Sequence, residues 1–159
     1  EELFDLVSLL KECVNKFKAE ALKRNIVVEV SYVLKMPDFF GDRTRLKKSI
    51  ECVIDNAIKF TPPEGKITIS LCKDSAENSV ISCADNGKGM TPKEISKAFS
   101  SDTQLDDIYS DPCTGIGFGI SYVKQLIEKH DGSLSIISAP NEGTKVNLNL
   151  PKSRLQQSN

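Results

Sequence analysis

Residues 42–61 read DRTRLKKSIECVIDNAIKFT, and their apolar positions recur every three or four residues. This spacing predicts an amphipathic helix, because residues three and four apart share one helix face. Asp42 is a suitable N-cap, and the proline pair at 62–63 ends the helix. The predicted buried face consists of Leu46, Ile50, Val53, Ile54, Ala57 and Ile58.

The segments around this helix predict alternating helices and strands. The glycine run at 115–119 opens a further helix that ends near residue 129, and a long polar connection at 100–114 precedes it. Other helices are predicted at 3–23 and 91–99, and strands at 26–33, 66–71, 80–84, 133–138 and 144–150. This order predicts an α/β fold, a two-layer sandwich with a mixed, largely antiparallel sheet and about three main helices.

The 159 residues suit one domain of ordinary globular composition, with 39% hydrophobic and 27% charged residues. The formal net charge of -1 gives no general electrostatic reason to bind nucleic acid or acidic lipid. A single histidine excludes a histidine-cluster metal site. We therefore expect neither a nucleic-acid partner nor membrane contact by this domain.

Five cysteines, odd in number and without a CxxC pair, favour reduced thiols inside a cell over a secreted disulfide framework. The first residues already have helical character, and we expect the chain to be a fragment of a longer protein. The domain is predicted to span residues 1–151, and residues 152–159 are predicted to form a disordered tail.

Asn56 and Lys59 are the first candidates for chemistry. They lie three residues apart near the helix end and therefore share a face. An amide oxygen can bind Mg²⁺ together with phosphate and water, and an ammonium can bind phosphate. The alternative is a solvated helix end whose lysine is favoured by the helix dipole.

Asp85, Gly87 and Gly89 follow a predicted buried strand. A carboxylate there can accept a hydrogen bond from a ligand amino group, while glycines allow close backbone approach. The alternative is an ordinary turn, for which Asp and Gly are common residues.

The run Gly115-x-Gly-x-Gly119 immediately precedes a helix, where exposed backbone N–H groups favour phosphate. Its spacing differs from both the Rossmann and the P-loop patterns. The polar connection at 100–114 directly upstream is compatible with a nucleotide lid.

These motifs, in this order, resemble the N, first-glycine, F, second-glycine and third-glycine boxes of sensor histidine kinases over nearly the whole chain. The boxes correspond to Asn56–Thr61, Asp85–Met90, Phe99, Thr114–Gly119 and Glu142–Thr144. The resemblance implies the Bergerat-type ATPase fold, which is shared with type II topoisomerase and heat-shock chaperone ATPases, and it implies binding of ATP with Mg²⁺. It also implies a cytoplasmic location, or the cytoplasmic portion of a membrane-anchored sensor.

The resemblance also implies a role for each matching residue. Asp85 would accept from the adenine amino group, Phe60 would pack beside adenine and ribose, and Thr144 would back the adenine site. Asn56 would hold Mg²⁺ and Lys59 would reach the phosphates, as the catalytic pair. The remaining nucleotide-binding residues would be Gly87, Gly89 and Met90 in the base pocket and Thr114, Gly115, Ile116, Gly117, Phe118 and Gly119 around the triphosphate.

Two positions depart from the family pattern. Cys52 occupies the place of a usual polar residue four positions before Asn56, and sulfur is a poor partner for Mg²⁺. Ser96 stands where a second aromatic residue is common in the F box. The alternatives are therefore a degenerate nucleotide-binding module that regulates partners without phosphotransfer, or another ATPase of the same fold.

In this family the γ-phosphate passes to a histidine on a separate dimerisation domain, and then to the receiver domain of a response regulator. His130 lies at a helix end and not in a phosphoacceptor box, so we expect it to be a residue favoured by the helix dipole. We therefore expect the chain alone not to phosphorylate itself on histidine. Cys113 borders the predicted lid, where it is either an incidental thiol or a redox sensor.

Overall fold

The structure, a computed structural model, describes residues 1–33, 35–100 and 119–156. The helices in this part of the chain are α1 (Leu6–Lys23), α2 (Arg43–Phe60), α3 (Pro92–Phe99) and α4 (Gly119–Lys129), with a short 3-10 helix at Lys152–Arg154. The strands are β1 (Glu2–Phe4), β2 (Val27–Tyr32), β3 (Asp38–Gly41), β4 (Lys66–Lys73), β5 (Ser79–Asp85), β6 (Ser133–Ser138), β7 (Thr144–Leu150) and β8 (Leu155–Gln156).

The main sheet has five strands in the order β2-β4-β5-β7-β6. Strands β2 and β4 are parallel, and every other neighbouring pair in this sheet is antiparallel. The predicted mixed, largely antiparallel sheet is therefore confirmed. Because β5 lies at the centre, its final residue, Asp85, comes directly beside Thr144 at the start of β7.

The helices form the second layer, as the sequence predicted. Helix α2 lies between α1 and α4. Helix α1 contacts β2, helix α2 contacts β5, and helix α4 contacts both β6 and β7. Alternate residues of β4 face this layer because side chains in a strand point to opposite faces. The largest completely or almost completely buried side chains are Phe39, Leu6, Leu9, Leu10, Leu46, Ile50, Ile58, Ile67, Ile69, Leu71, Leu126 and Ile127.

A second sheet, with the order β1-β3-β8, was not predicted. The prediction of helix from residue 3 is wrong for residues 3–4, which belong to β1; the helix begins at Leu6 after the N-cap Asp5. The predicted disordered tail is also corrected, because Lys152–Arg154 form a 3-10 turn and Leu155–Gln156 pair with β3. Residues 157–159 lie outside the described residues.

Two helix starts follow the predicted capping chemistry. Asp42 accepts a hydrogen bond from the backbone N–H of Arg45 at 3.1 Å. Thr91 and Glu94 form a reciprocal capping box at the start of α3. These caps fix where α2 and α3 begin, and so fix which residues reach the far end of α2.

Candidate functional site

The last two turns of α2 carry Asn56, Lys59 and Phe60. Asn56 is buried, with a relative exposure of 8%, and its Oδ1 has no hydrogen-bond partner among the described residues. A buried polar atom without a partner is unfavourable by about 1–3 kcal/mol. An oxygen ligand held in this way fits Mg²⁺, which prefers oxygen donors.

Lys59 lies on the more exposed side of the same helix end. Its Nζ is 2.9 Å from Oδ2 of Asp55, one turn earlier, and its side chain is 38% exposed. An ion pair of this exposure is worth about 0–1 kcal/mol, so a phosphate group can compete for the ammonium.

Asp85 ends β5 and is the central carboxylate of the site. Its Oδ1 accepts hydrogen bonds from the backbone N–H groups of Gly87 at 2.9 Å and Thr144 at 3.3 Å. Burial raises the pKa of the Asp85 carboxyl, while these two hydrogen bonds act in the opposite direction. Among the described residues no donor reaches Oδ2. The site therefore offers one acceptor oxygen for a ligand donor.

The turn after β5 packs against two other segments. A Cβ at Gly87 would lie 2.4 Å from the carbonyl oxygen of Phe60, at the end of α2. A Cβ at Gly143, whose φ is +75°, would lie 2.0 Å from the carbonyl oxygen of Asp85. Both contacts require glycine, because no side chain fits at these distances. Close backbone approach therefore brings together the end of α2, the turn after β5 and the β6–β7 turn.

The same turn makes a second crossing through Gly89 and Lys88. Gly89 has φ +70°, and a Cβ there would lie 1.9 Å from the carbonyl oxygen of Ala139. The carbonyl of Lys88 accepts from the N–H of Asn141 at 2.6 Å. The Lys88 ammonium lies 5.6 Å from the centre of the Phe60 ring, a cation–π contact that sequence reasoning missed.

Ser138, the last residue of β6, is a second residue that sequence reasoning missed. Its Oγ accepts from the N–H of Met90 at 2.8 Å and donates to the carbonyl of Gly143 at 2.8 Å. It also lies 2.8 Å from Oγ1 of Thr144. One hydroxyl therefore joins the first-glycine turn to the third-glycine turn. No motif marked this residue, because its partners come from elsewhere in the chain.

His130 follows the last residue of α4, as predicted, and is 3% exposed. Its Nε2 accepts from the N–H of Asp42 at 3.0 Å, and its Nδ1 lies 2.9 Å from the carbonyl of Leu126. A backbone N–H can only donate and a carbonyl can only accept, so the ring is the neutral Nδ1–H tautomer. The expected charge–dipole interaction is therefore replaced by two hydrogen bonds, one to the carbonyl of Leu126 within α4 and one that ties the end of α4 to the start of α2.

Part of the predicted site lies outside the described residues. This applies to Thr114, Gly115, Ile116, Gly117 and Phe118, to Cys113, and to the predicted lid beyond Ser100. Gly119 is described as the buried first residue of α4. Cys52 is completely buried in the core at the position where the family usually has a polar residue.

Of the predicted site residues, the contacts above bring together those that were assigned to the predicted base pocket, together with Thr144. Asn56 lies one helical turn before Phe60 on α2. The residues that these contacts bring together are Phe60, Asp85, Gly87, Gly89, Met90 and Thr144.

The α/β sandwich, with a carboxylate and glycine-rich turns beside the end of α2, is an arrangement compatible with an ATPase-type fold. The chain belongs to the family of histidine kinase-, DNA gyrase B- and HSP90-like ATPases, whose model matches residues 41–154. The motifs predicted a resemblance to sensor histidine kinases, and this prediction is confirmed, because similar proteins and solved structures are themselves histidine kinases.

The adaptive-response sensory kinase SasA of Parasynechococcus marenigrum (strain WH8102) is 27% identical over 147 residues, covering 92% of this chain and 38% of SasA. The sensor histidine kinase GacS of Pseudomonas protegens is 31% identical over 157 residues, covering 95% of this chain and 17% of GacS. The chain thus spans well under half of either protein. The catalytic domain of histidine kinase ThkA superimposes with a TM-score of 0.79 at 25% identity, covering 96% of this chain and 97% of that one.

No helix within the described residues is both long enough and apolar enough to cross a bilayer.

Proposed function

We propose that this domain binds Mg-ATP and donates the γ-phosphate to a histidine on a separate dimerisation domain, as part of a two-component sensor kinase. The observation that carries the proposal is a pair of buried or half-buried oxygens without hydrogen-bond partners among the described residues. These are Oδ2 of Asp85 and Oδ1 of Asn56. Two such acceptors suit a ligand that brings both a donor and a metal ion.

Adenine is the donor that fits Asp85. Its amino group would donate to Oδ2, because Oδ1 is occupied by the N–H groups of Gly87 and Thr144. Gly89 and Met90 would line the base pocket, and the Phe60 ring would pack beside adenine and ribose. The carboxylate is already held in place before the nucleotide arrives, so little order is lost on binding.

The phosphates fit the opposite side of the site. Asn56 would hold Mg²⁺ through Oδ1, Lys59 would exchange its ion pair with Asp55 for phosphate oxygens, and Gly119 would lie close to the triphosphate at the start of α4. Bound Mg²⁺ neutralises the charge of the phosphate oxygens. The role of this chain is therefore to bind and orient the nucleotide rather than to supply the nucleophile.

The nucleophile would come from the dimerisation domain. A bond forms between a histidine nitrogen and the γ-phosphorus, the bond from that phosphorus to the β–γ bridging oxygen breaks, and ADP leaves. The buried His130, with both nitrogens engaged, is unsuited to this role. The phosphate would then pass to a response-regulator receiver domain, and we place the reaction in the cytoplasm.

Two measurements test the proposal. Calorimetric titration of the chain with ATP should show binding that Mg²⁺ strengthens. Asn56→Ala should remove the strengthening by Mg²⁺, whereas Asn149→Ala, on the outer face of the sheet, should not. With γ-labelled ATP, an acid-labile phosphoprotein should form only when a dimerisation domain is added in trans. Labelling of the chain alone on histidine would refute the division of labour.

A second candidate function rests on Cys52. This residue is completely buried, and its side chain carries sulfur in place of an oxygen ligand at the usual polar position of the N box. A degenerate domain of this kind would bind nucleotide and regulate partners without phosphotransfer. ATP binding without any phosphohistidine on an added dimerisation domain would favour this second function over the first.

A further inference from the structure

Arg24 follows the last residue of α1 and reaches across to the end of α2. Its guanidinium donates from Nη1 to the carbonyl of Ile58 and from Nη2 to the carbonyl of Thr61, the latter at 2.8 Å. The two acceptors flank Lys59 and Phe60 in the sequence. A side chain outside every predicted motif thus brackets two residues of the candidate nucleotide site.

The end of α2 needs such a donor. The last carbonyls of a helix lack partners within the helix and must find them elsewhere. The N–H and Oγ1 of Thr61 both bond the carbonyl of Ala57, at 3.0 and 2.6 Å. The next carbonyl, that of Ile58, receives the guanidinium of Arg24. A cation is also favoured at the negative end of the helix dipole.

The backbone of Arg24 is itself held in place. Its N–H bonds the carbonyls of Glu20 and Ala21, both at 3.2 Å, and Asn25 adopts a left-handed φ of 57°. The N–H of Ile26 then returns to the carbonyl of Ala21 at 2.9 Å. This is a Schellman-type helix end, which fixes the direction of the chain. The guanidinium is therefore presented from a defined position and not from a flexible loop.

We propose that Arg24 is a positioning residue for nucleotide binding, which fixes the last turn of α2 and with it the placement of Lys59 and Phe60. The inference rests on the proposed function of that site. Arg24 would thereby link α1 to the nucleotide site, and a displacement of α1 would change the affinity for nucleotide. An arginine that only stabilised the fold would change the melting temperature but not the affinity of the folded protein.

Arg43 supplies a matched control. It also joins α1 to α2, through its Nη2 at 2.7 Å from Oε2 of Glu12, but at the opposite end of α2. Fifteen residues separate Arg43 from Ile58, which is about 22 Å along a helix. Arg43→Gln therefore removes an arginine bridge between the same two helices at a distance from the site.

The test compares Mg-ATP affinity by calorimetry for the wild type, Arg24→Gln, Arg24→Lys and Arg43→Gln, at a temperature where each is fully folded. We expect Arg24→Gln to weaken binding about tenfold, because misplaced binding groups lose affinity steeply. The affinity of Arg24→Lys, which keeps the charge and part of the hydrogen bonding, should lie between those of the wild type and Arg24→Gln. The affinity of Arg43→Gln should stay within about twofold of that of the wild type. The backbone amide NMR signals of Lys59 and Phe60 should shift in Arg24→Gln only.

Equal affinities for Arg24→Gln and Arg43→Gln would overturn the inference. If Arg24→Gln does not fold, Arg24→Lys decides alone: an affinity equal to that of the wild type, with unshifted Lys59 and Phe60 amides, would also overturn it. Failure of the wild type to bind ATP would instead refute the proposed function, so the two failures are distinguishable.

Discussion

Replacement of Asp85 by asparagine changes one atom of the site in a defined way. The Asn oxygen can keep the two hydrogen bonds that Oδ1 now accepts from the N–H groups of Gly87 and Thr144. The amide NH₂ then takes the place of Oδ2. The position that would accept from the adenine amino group thus becomes a donor, and donor faces donor.

The magnitude follows from the hydrogen bond that is lost. A hydrogen bond to a charged group contributes about 1.5–3 kcal/mol. Since about 1.4 kcal/mol corresponds to a factor of ten, Asp85→Asn should weaken ATP binding about ten- to hundredfold. Inosine triphosphate carries an oxygen where ATP carries the amino group, so Asp85→Asn should weaken the binding of inosine triphosphate much less than the binding of ATP. The ratio of ATP to inosine triphosphate affinity should therefore fall in the variant.

The folding stability of Asp85→Asn should rise relative to the wild type, although its ATP binding weakens. Burial raises the pKa of the Asp85 carboxyl above 3.8, so the folded state disfavours its ionised form. Below 3.8 the carboxyl is protonated in both states and this penalty is absent. The penalty is complete once the pH exceeds the folded-state pKa. The stability of Asp85→Asn relative to the wild type should therefore increase as the pH rises from about 4 toward neutrality.

Calorimetric titration with both nucleotides and urea unfolding between pH 4 and 7.5 make these measurements. An Asp85→Asn variant that binds ATP within threefold of the wild type would refute the assignment of Oδ2 as the adenine acceptor. A stability difference that stays constant with pH would refute the account of the buried carboxylate.

Two further substitutions test the packing that builds the site. Gly143→Ala should lower stability by more than about 2 kcal/mol, because a left-handed backbone and a backbone contact of 2.0 Å both oppose a side chain. Gly143→Ala should also weaken ATP binding. In Gly132→Ala the added Cβ would lie 2.1 Å from the carbonyl oxygen of Asn149, so this control should destabilise the fold without changing the affinity of the folded protein. His130→Phe should lower the free energy of unfolding by about 1–3 kcal/mol, because it leaves the N–H of Asp42 without its acceptor, whereas the Leu126 carbonyl keeps the backbone N–H of residue 130. Urea unfolding measures both effects, and a His130→Phe variant as stable as the wild type would contradict the second.

The sequence predicted the long, regular elements of this fold well. The β4–β5 and β6–β7 pairs appeared as alternating or apolar runs, and Asp42 and Thr91 marked the starts of α2 and α3. The three-stranded sheet escaped prediction because its strands have only two to four residues. Too few positions are present for a strand period to appear, and Leu3 also continued the helical period of α1.

Within the site, the sequence identified the residues whose type and spacing carry a chemical meaning. Asp85, Asn56 and the glycines near them could be recognised in this way. Lys88 and Ser138 could not, because their roles depend on which segment comes to lie beside them. Lys88 contacts a ring 28 positions earlier, and Ser138 bonds an N–H 48 positions earlier.

The sequence by itself determined the helices, the hairpins and the order of the nucleotide motifs, since these follow from local periodicity, capping and turn chemistry. Only the tertiary structure decided that Arg24 caps the end of α2, that His130 is a buried neutral hydrogen-bonding residue, and that Oδ2 of Asp85 has no donor partner among the described residues. The physical reason is that hydrogen bonding and burial depend on groups that the folded chain brings together from distant positions. No local pattern records those neighbours.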